Sequence, residues 1–341
     1  MAMNVFELTR ALVDIESVTN AEKRVGDYLF DYLSLLARRT AGDVERMPVE
    51  PERFNVLAHW GNPIVTLSTH MDTVPPFFPS SEDDKFVWGR GACDAKGIIA
   101  SMIETAEKLL AGGRKNFALL FVVGEERDGA GAFVAAKNPR GSQYLINGEP
   151  TENKIALASK GALRFEITAQ GRLAHSAYPE LGHSAIETLL DVLQAIRAIK
   201  LPEDELLGCS TLNIGTVAGG RAPNVIADSA QAEIMFRLVG SAAPLREAVL
   251  QAVAGRADTR EVFATPTQRL EAFPNLATTV VSFGTDIPSF DGSWGKPFLI
   301  GPGSIQVAHT AQERISKQEL VEAVEIYQHM VATLLCGADQ D

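Results

Sequence analysis

The sequence is poor in cysteine, in positive charge and in long apolar runs. Its 341 residues contain three cysteines, which are far apart and form no CxxC pair, so we expect neither a disulfide framework nor a thiolate zinc site. Lys and Arg total 31 against 43 Asp and Glu, and the net charge of −12 argues against binding to nucleic acid or to an anionic membrane surface. No apolar run approaches the roughly 18 residues of a membrane span, and the start MAMNVFELTR has no signal-peptide pattern. We therefore expect a soluble, cytoplasmic protein whose partner is a small molecule.

The remaining composition is typical of a globular protein. Hydrophobic residues make up 46% and charged residues 22% of the chain, and at roughly 150 residues per domain the length predicts about two domains. In the first half, helical periodicity alternates with short apolar runs, which predicts helices at 5–15, 23–36 and 97–110 and strands at 64–68, 117–123 and 144–147. This alternation predicts an α/β fold with a mostly parallel sheet flanked by helices.

From about residue 161 the pattern changes to strands with one solvent-facing side. Two alternating stretches and two amphipathic helices carry this pattern, at 163–169, 230–238, 184–199 and 244–253. A strand at 298–300 and a helix at 317–335 follow. We therefore predict a first domain formed by residues 1–160 and 266–341, with an α+β domain inserted at residues 161–265.

Histidine and acidic side chains follow the predicted strands of the first domain. His70 and Asp72 come after the strand 64–68, and their alternation lets both side chains point the same way. A metal-binding histidine usually donates its other N–H to a carboxylate, and Asp72 is placed to accept it. Asp94 lies between glycines in the segment GRGACDAKG, directly before a predicted helix.

Three further segments repeat this placement. Glu125 and Glu126 end the second predicted strand, where two adjacent carboxylates repel each other unless a cation or a proton compensates them. Glu149 follows the third strand, and His309 follows the glycine-rich turn GPGS. A surface histidine, an N-cap aspartate or a solvated loop acid explains any one segment alone. The coincidence of all five segments at strand ends favours a metal centre.

In chain order, the segments STHMDTVP, GRGACDAKG, GEE, GEPT and GPGSIQVAH resemble those of a family of dinuclear zinc peptidases and deacylases. This family includes acetylornithine deacetylase, succinyl-diaminopimelate desuccinylase and carboxypeptidase G. The resemblance implies that the first domain is catalytic and that the insertion is a lid and dimerisation domain. Its implied metal ligands are His70 and Glu149 on one Zn²⁺, Glu126 and His309 on the other, and Asp94 as the bridge between them.

The same resemblance implies that Asp72 orients His70 and that Glu125 is the general base. Two Zn²⁺ ions bring a charge of +4 and the three ligand carboxylates bring −3, which leaves +1 for a bridging hydroxide to neutralise. A metal pair lowers the pKa of such a water toward ~7, and Glu125 would pass its proton to the leaving amine. Cobalt is an alternative metal, because imidazole and carboxylate donors are not exclusive to zinc.

The inserted domain and the GPGS turn carry further implied roles. His175, in the segment GRLAHSAYP, matches a lid histidine that reaches into the active site of a partner subunit, which implies a homodimer through residues 161–265. Asn224 and Arg237 match substrate contacts, and Gly303 and Ser304 would line the pocket. A capped surface histidine and a solvated edge-strand arginine are the competing interpretations of His175 and Arg237.

The segments SFGTD and GPGSIQVAH resemble acetylornithine deacetylase more than the desuccinylase. We therefore expect removal of an acyl group from an N-acyl amino acid, as in arginine biosynthesis. Ala95 stands where the family often has Met, and Asp286 where the deacetylases often have Glu, so the accepted side chain stays open. A desuccinylase, or an exopeptidase that acts on dipeptides, would share every metal ligand. A non-catalytic binding protein is a third alternative, against which the presence of Glu125 argues.

Overall fold

The computed structural model describes residues 3–338 and divides the chain into two compact units. The first unit comprises the residues up to Leu157, Leu270–Thr279 and the residues from Thr285 onward. The second comprises Ala158–Arg269 and Val280–Gly284. The division therefore falls a few residues away from the positions that the sequence suggests, and it adds a short return of the chain to the second unit.

The described residues form eight α-helices and eighteen strands. The helices are α1 (Val5–Val13), α2 (Lys23–Thr40), α3 (Gly97–Ala111), α4 (Ala130–Ala136), α5 (Ala185–Arg197), α6 (Ala242–Val253), α7 (Ile287–Phe290) and α8 (Lys317–Ala338). The strands are β1 (Asp43–Glu50), β2 (Arg53–Trp60), β3 (Val65–His70), β4 (Ser81–Glu82), β5 (Phe86–Trp88), β6 (Phe117–Val122), β7 (Tyr144–Asn147), β8 (Ile155–Ser159), β9 (Gly161–Gln170), β10 (Glu203–Asp204), β11 (Gly208–Cys209), β12 (Thr211–Gly219), β13 (Ser229–Leu238), β14 (Asp258–Thr265), β15 (Gln268–Arg269), β16 (Thr278–Val281), β17 (Lys296–Leu299) and β18 (Arg314–Ser316).

The main sheet of the first unit has the strand order β1-β2-β6-β3-β7-β17. Strands β6, β3, β7 and β17 are parallel, whereas β1 and β2 add to one edge as an antiparallel hairpin. The expected α/β fold with a mostly parallel sheet is confirmed. The hairpin is an addition that the apolar runs did not indicate. Strand β1 is largely exposed and has a polar sequence, whereas β2 is mostly buried although polar residues interrupt its sequence.

Both faces of this sheet are covered, which explains the continuous apolar run of β6. Phe117, Leu119 and Phe121 pack into a core with α1, α2, α3 and α8, while Ala118 and Leu120 pack on the opposite face against α4 and Trp294. Parallel strands buried on both faces have this composition. Burial of a large side chain contributes about 1.5–3 kcal/mol, so this core holds the strand ends in place.

Local signals fix where helices begin. The Asn4 side chain accepts hydrogen bonds from the backbone N–H groups of Phe6 and Glu7, and Glu7 accepts one from the backbone of Asn4. This reciprocal pair is a capping box and satisfies donors that a helix start leaves unpaired. None of the helices within residues 3–338 combines the length and the apolar character needed to cross a bilayer.

The second unit is an antiparallel sheet with the strand order β12-β13-β9-β14. Helices α5 and α6 supply Leu189 and Val249 to a core that includes Phe165 and Phe236 from the sheet. Buried and half-exposed residues alternate along β9 and β13, because one face of each strand meets this core.

Candidate metal centre

The candidate ligands follow the carboxyl ends of the four parallel strands. Strand β3 ends at His70, and the loops after β6, β7 and β17 carry Glu125 and Glu126, Glu149, and His309. In an open α/β sheet these strand ends meet at one edge, which is the usual place for a ligand site. Asp94 reaches the same cluster from a tight turn that precedes α3. Side chains far apart in the sequence are therefore brought together by the topology of one sheet.

His70, Asp94 and Glu149 form a first, buried group. The Nε2 atom of His70 lies 2.9 Å from Oδ1 of Asp94, and one ligand-type atom from each of the three residues lies within 4.8 Å of the others. Two donors bound to the same tetrahedral zinc at about 2.1 Å lie about 3.4 Å apart, so these positions suit one ion. Oε1 of Glu149 is buried without a hydrogen-bond partner, which leaves a charge-bearing oxygen available to a cation.

Asp94, Glu126 and His309 form a second group. The Nε2 atom of His309 lies 3.0 Å from Oε1 of Glu126 and 3.3 Å from Oδ2 of Asp94. Asp94 thus presents one carboxylate oxygen to each histidine, the arrangement of a carboxylate shared by two ions. The side chain of His309 is 48% exposed, whereas those of Asp94 and Glu126 are nearly buried, so the cluster opens to solvent on the histidine side.

Asp72 ties the first strand end to the loop after β6. Its Oδ1 lies 3.4 Å from Nδ1 of His70, and the same ring nitrogen lies 3.0 Å from the Asp72 carbonyl oxygen. The two carboxylate oxygens also accept backbone N–H bonds from Glu125 and Glu126, at 3.1 and 3.2 Å. Thr19 donates a further hydrogen bond of 2.8 Å to Oδ2. One buried carboxylate therefore fixes the position of a histidine and of the two neighbouring acids.

Burial and mutual repulsion set the electrostatics of the cluster. Burial raises the pKa of Glu149 well above its usual range, and Glu125 and Asp94 raise it further. Hydrogen bonds to Asp94 and Glu126 raise the pKa of His309 to about 10. Burial acts to lower the pKa of His70, but its contacts with Asp72 and Asp94 outweigh this and raise it. In the absence of cations, protons bound by these side chains reduce the repulsion between the carboxylates.

Glu125 has the environment of a proton carrier. Burial raises its pKa well above the usual range, with further contributions from Asp286, Glu126 and Asp94. Asp286 is itself buried ahead of α7, and burial raises its pKa to about 7. Carboxyl groups with raised pKa values at a strand end are characteristic of acid–base sites.

The GPGS turn is held by hydrogen bonds to α8 and to the loop after β7. The backbone N–H of Gly303 donates to Glu319, and the Ser304 hydroxyl donates to Glu152 at 3.1 Å. Gly303 has φ +91°, and a Cβ atom there would lie 2.6 Å from Sγ of Cys93. Glycine is therefore required at this position, since a side chain would both strain the backbone and collide with the buried thiol.

The remaining predicted residues lie in the second unit, where two of their segments meet. His175 forms an isolated bridge with Val225, and the N–H of Ser176 donates to the carbonyl oxygen of Asn224. The His175 ring accepts a hydrogen bond from the N–H of Ala177. Arg237 lies on β13, opposite Thr211 of β12 and Ala162 of β9.

Comparison with known proteins assigns the chain to a family. A model described as peptidase family M20/M25/M40 matches residues 66–333. A peptidase M20 domain-containing protein of Schizosaccharomyces pombe is 37% identical over 338 residues, covering 96% of this chain and 84% of that protein. The chain belongs to peptidase family M20. A second relative, named probable carboxypeptidase, of Aspergillus flavus is 37% identical over 372 residues, covering 96% of this chain and 89% of that protein.

The solved structures agree with the M20 fold. A protein of Bacillus subtilis described as a dinuclear metal-binding peptidase of family M20 covers 97% of this chain and 97% of its own, with a TM-score of 0.69 and 17% identity. The present M20 chain is thus an enzyme of the class that hydrolyses amide bonds. Its two donor groups, with a shared carboxylate and an unpartnered buried Glu149 oxygen, fit a pair of divalent cations.

Two residues of this M20 peptidase contact the site but were not predicted from the sequence, the half-buried Thr19 and the buried Glu313. Thr19 contacts Asp72, and Glu313 contacts the loop of Asp94. Nothing near Thr19 in the sequence marks it, because it lies before the first strand of the sheet. Glu313 carries a faint signal, since it is an acid four residues after His309 in a segment that returns to the site.

Proposed function

We propose that the chain is a metal-dependent exopeptidase that hydrolyses the amide bond next to a C-terminal amino acid in a small peptide. The observation that carries this proposal is the pair of donor groups that share Asp94, with the half-buried acid Glu125 next to Glu126. A dinuclear centre of imidazole and carboxylate ligands is suited to hydrolysis of an amide. Zinc is the favoured metal and cobalt the alternative.

In the proposed reaction the chain positions and moves protons around the metal pair. His70, Glu149, Glu126, His309 and the bridging Asp94 would hold two cations, which when bound act as Lewis acids and supply a nucleophile at neutral pH. Glu125 accepts the proton of the attacking water and returns it to the leaving amine. Burial raises the pKa of Glu125 well above its usual range, which makes the side chain a better proton acceptor than an ordinary carboxylate. The Asp72 carboxylate fixes the positions of the His70 ring and of the Glu125 backbone.

The proposed substrate carries a free carboxylate. The relative named probable carboxypeptidase supports this class, and an arginine can bind a carboxylate with two parallel hydrogen bonds. Arg237 and Asn224 are the proposed contacts from the second unit, with Gly303 and Ser304 beside the metal centre. An N-acyl amino acid has the same bond and the same carboxylate, so deacylation is the second candidate, favoured by the segments SFGTD and GPGSIQVAH.

We also propose that the chain forms a homodimer through residues 161–265. The second unit exposes many large apolar side chains, including Leu181 at 62% and Val217 at 56%, and Ile186 and Leu190 lie one turn apart on α5. Strand β12 forms an edge of its sheet, and exposed edges and apolar patches are common interaction surfaces. His175 of the partner subunit would then stabilise the developing oxyanion.

A substrate panel tests the function. The zinc-loaded protein is assayed with dipeptides, N-acetyl amino acids and N-succinyl amino acids that share one C-terminal residue. We expect the dipeptides to be hydrolysed fastest, and Glu125→Gln to lower kcat by about 10²–10⁴-fold with unchanged metal content. Glu322→Gln, an exposed acid on α8, is the matched control and should keep full activity. Full activity in Glu125→Gln would remove that residue from the mechanism, and a preference for N-acetyl amino acids would favour deacylation.

A mixing experiment tests the dimer separately. A His175→Ala chain and a Glu125→Gln chain should each be inactive, since each lacks one part of both active sites. A mixed dimer contains one site with both parts intact, so combining the two chains should restore part of the activity. Sedimentation measures whether the dimers form. Mixed dimers without activity would contradict the proposal that His175 acts in the active site of the partner subunit.

A further inference from the structure

A buried carboxylate, that of Glu313, lies behind the turn that carries Asp94. Its Oε1 accepts backbone N–H bonds from Gly91, Cys93 and Asp94, at 2.9, 3.3 and 3.2 Å. Successive backbone N–H groups in such a turn form a concave anion-binding nest. Here the anion is supplied by the chain itself, and one of the three donors belongs to Asp94.

The other oxygen of Glu313 is also bound. It accepts a hydrogen bond from Nη1 of Arg90, and both side chains are almost completely buried, with 2% and 1% exposure. Arg90 in turn donates to the Pro76 carbonyl oxygen and stacks on Phe78. Hydrogen bonds to an ionised acceptor are roughly twice as strong as neutral ones, so this carboxylate is a firm anchor for the turn.

Glu313 also connects two parts of the proposed metal centre. It lies four residues after His309 and directly before β18, whose partner strand β5 leads into the Asp94 turn. The carbonyl oxygen of Glu313 accepts the N–H of Gly89, at the start of that turn. The segment after His309 and the turn before α3 are therefore joined by backbone hydrogen bonds as well as by the Glu313 side chain.

We propose that Glu313 is a positioning residue, which holds the Asp94 backbone so that its two oxygens face His70 and His309 before any metal binds. This inference rests on the dinuclear centre of the proposed function. The anchoring contact is made by Oε1 of Glu313, which accepts hydrogen bonds from the N–H groups of residues 91, 93 and 94. The ion pair with Arg90 neutralises the charge of this carboxylate. A role limited to the ion pair would affect stability and leave metal binding unchanged.

A matched pair of double variants separates these roles. Arg90→Met with Glu313→Gln removes both charges but keeps an amide oxygen for the three N–H groups. Arg90→Met with Glu313→Met removes the same charges and keeps the side-chain length, but it has no oxygen acceptor. Binding of Co²⁺ to each metal-free protein is followed by visible absorption and by elemental analysis, without any substrate. Wild-type protein that fails to bind two ions would refute the metal centre itself, independently of Glu313.

The expected results differ between the two variants. The Gln variant should bind two ions as the wild type does, and the Met variant should lose about 10–100-fold in affinity, the range for residues that orient metal ligands. Equal affinities in the two variants would overturn the proposal. A second measurement needs no variant: hydrogen exchange of residues 89–94 in the metal-free wild type should be slow. Fast exchange there would show that Glu313 does not hold the turn.

Discussion

Asp286 should make the metal-free protein less stable as the pH rises. Its carboxyl group is 3% exposed, and Oδ2 is buried without a hydrogen-bond partner. Burial raises its pKa from 3.8 to about 7, and the charges of Asp72 and Asp128 add to this effect. An unfolded chain loses this proton near pH 4, whereas the folded chain retains it to about pH 7. Between these values the folded state binds more protons, so the free energy of unfolding falls as the pH increases.

The size of the effect follows from the shift. Each pKa unit corresponds to about 1.4 kcal/mol, so about three units lower the free energy of unfolding by about 4 kcal/mol above pH 7. Roughly 3 kcal/mol of this loss falls between pH 5 and pH 8. Asp286→Asn has the same shape and no charge to bury. The variant should therefore gain stability relative to the wild type as the pH is raised.

Urea unfolding of chelator-treated protein at pH 5 and pH 8 measures this difference. Asp291→Asn, an exposed change just after α7, is the matched control and should show the same small difference from wild type at both values. In the metal-loaded protein the pH dependence should shrink, because nearby cations favour the ionised carboxylate. If Asp286→Asn and wild type differ equally at pH 5 and pH 8, the buried carboxyl does not titrate as argued.

Metal binding at pH 7.5 should release protons, because His309 with a pKa of about 10 is protonated in the metal-free protein and a ligand must be neutral. Calorimetry in buffers of different ionisation enthalpy should show that His309→Asn releases one proton fewer on metal binding than the wild type. Equal proton release in the two proteins would contradict the assignment of His309 as a metal ligand. Gly295→Ala should destabilise the fold by more than the about 1–2 kcal/mol of left-handed strain, because its Cβ would lie 2.1 Å from the Gln143 backbone. Gly113→Ala, also at positive φ but in open space, supplies the control in thermal unfolding.

The sequence predicts the parallel part of the fold well, because its strands are buried on both faces. The run FALLFV of β6 has no polar residue and can be assigned from composition alone. Strand β12 shows the limit, since it is exposed along most of its length and gives no core pattern. Residues 280–284 return to the second unit through spatial contacts that no local pattern records.

The candidate ligands were accessible from the sequence for a different reason. Most of them lie at or just after a strand end or in a glycine-bracketed turn, and such positions can be located once the strands are known, whereas His309 lies in the long loop after β17. The supporting residues lack that marker. Arg90 and Glu313 pair across 223 positions, and buried ion pairs of this kind are fixed by tertiary packing alone. Sequence patterns thus locate the candidate ligands more readily than the residues that hold those side chains in position.

The burial and mutual repulsion of the acidic candidate ligands favour the binding of cations at this cluster. Asp94, Glu126 and Glu149 lie with Glu125 in one buried cluster, and burial raises the pKa of each glutamate. Such a cluster is held together by protons in the metal-free protein, at a cost in stability that increases with pH. Two divalent cations would replace these protons, restore the ionised carboxylates and stabilise the folded state by binding it alone. Metal binding, proton release and folding stability are therefore linked through one set of carboxyl groups.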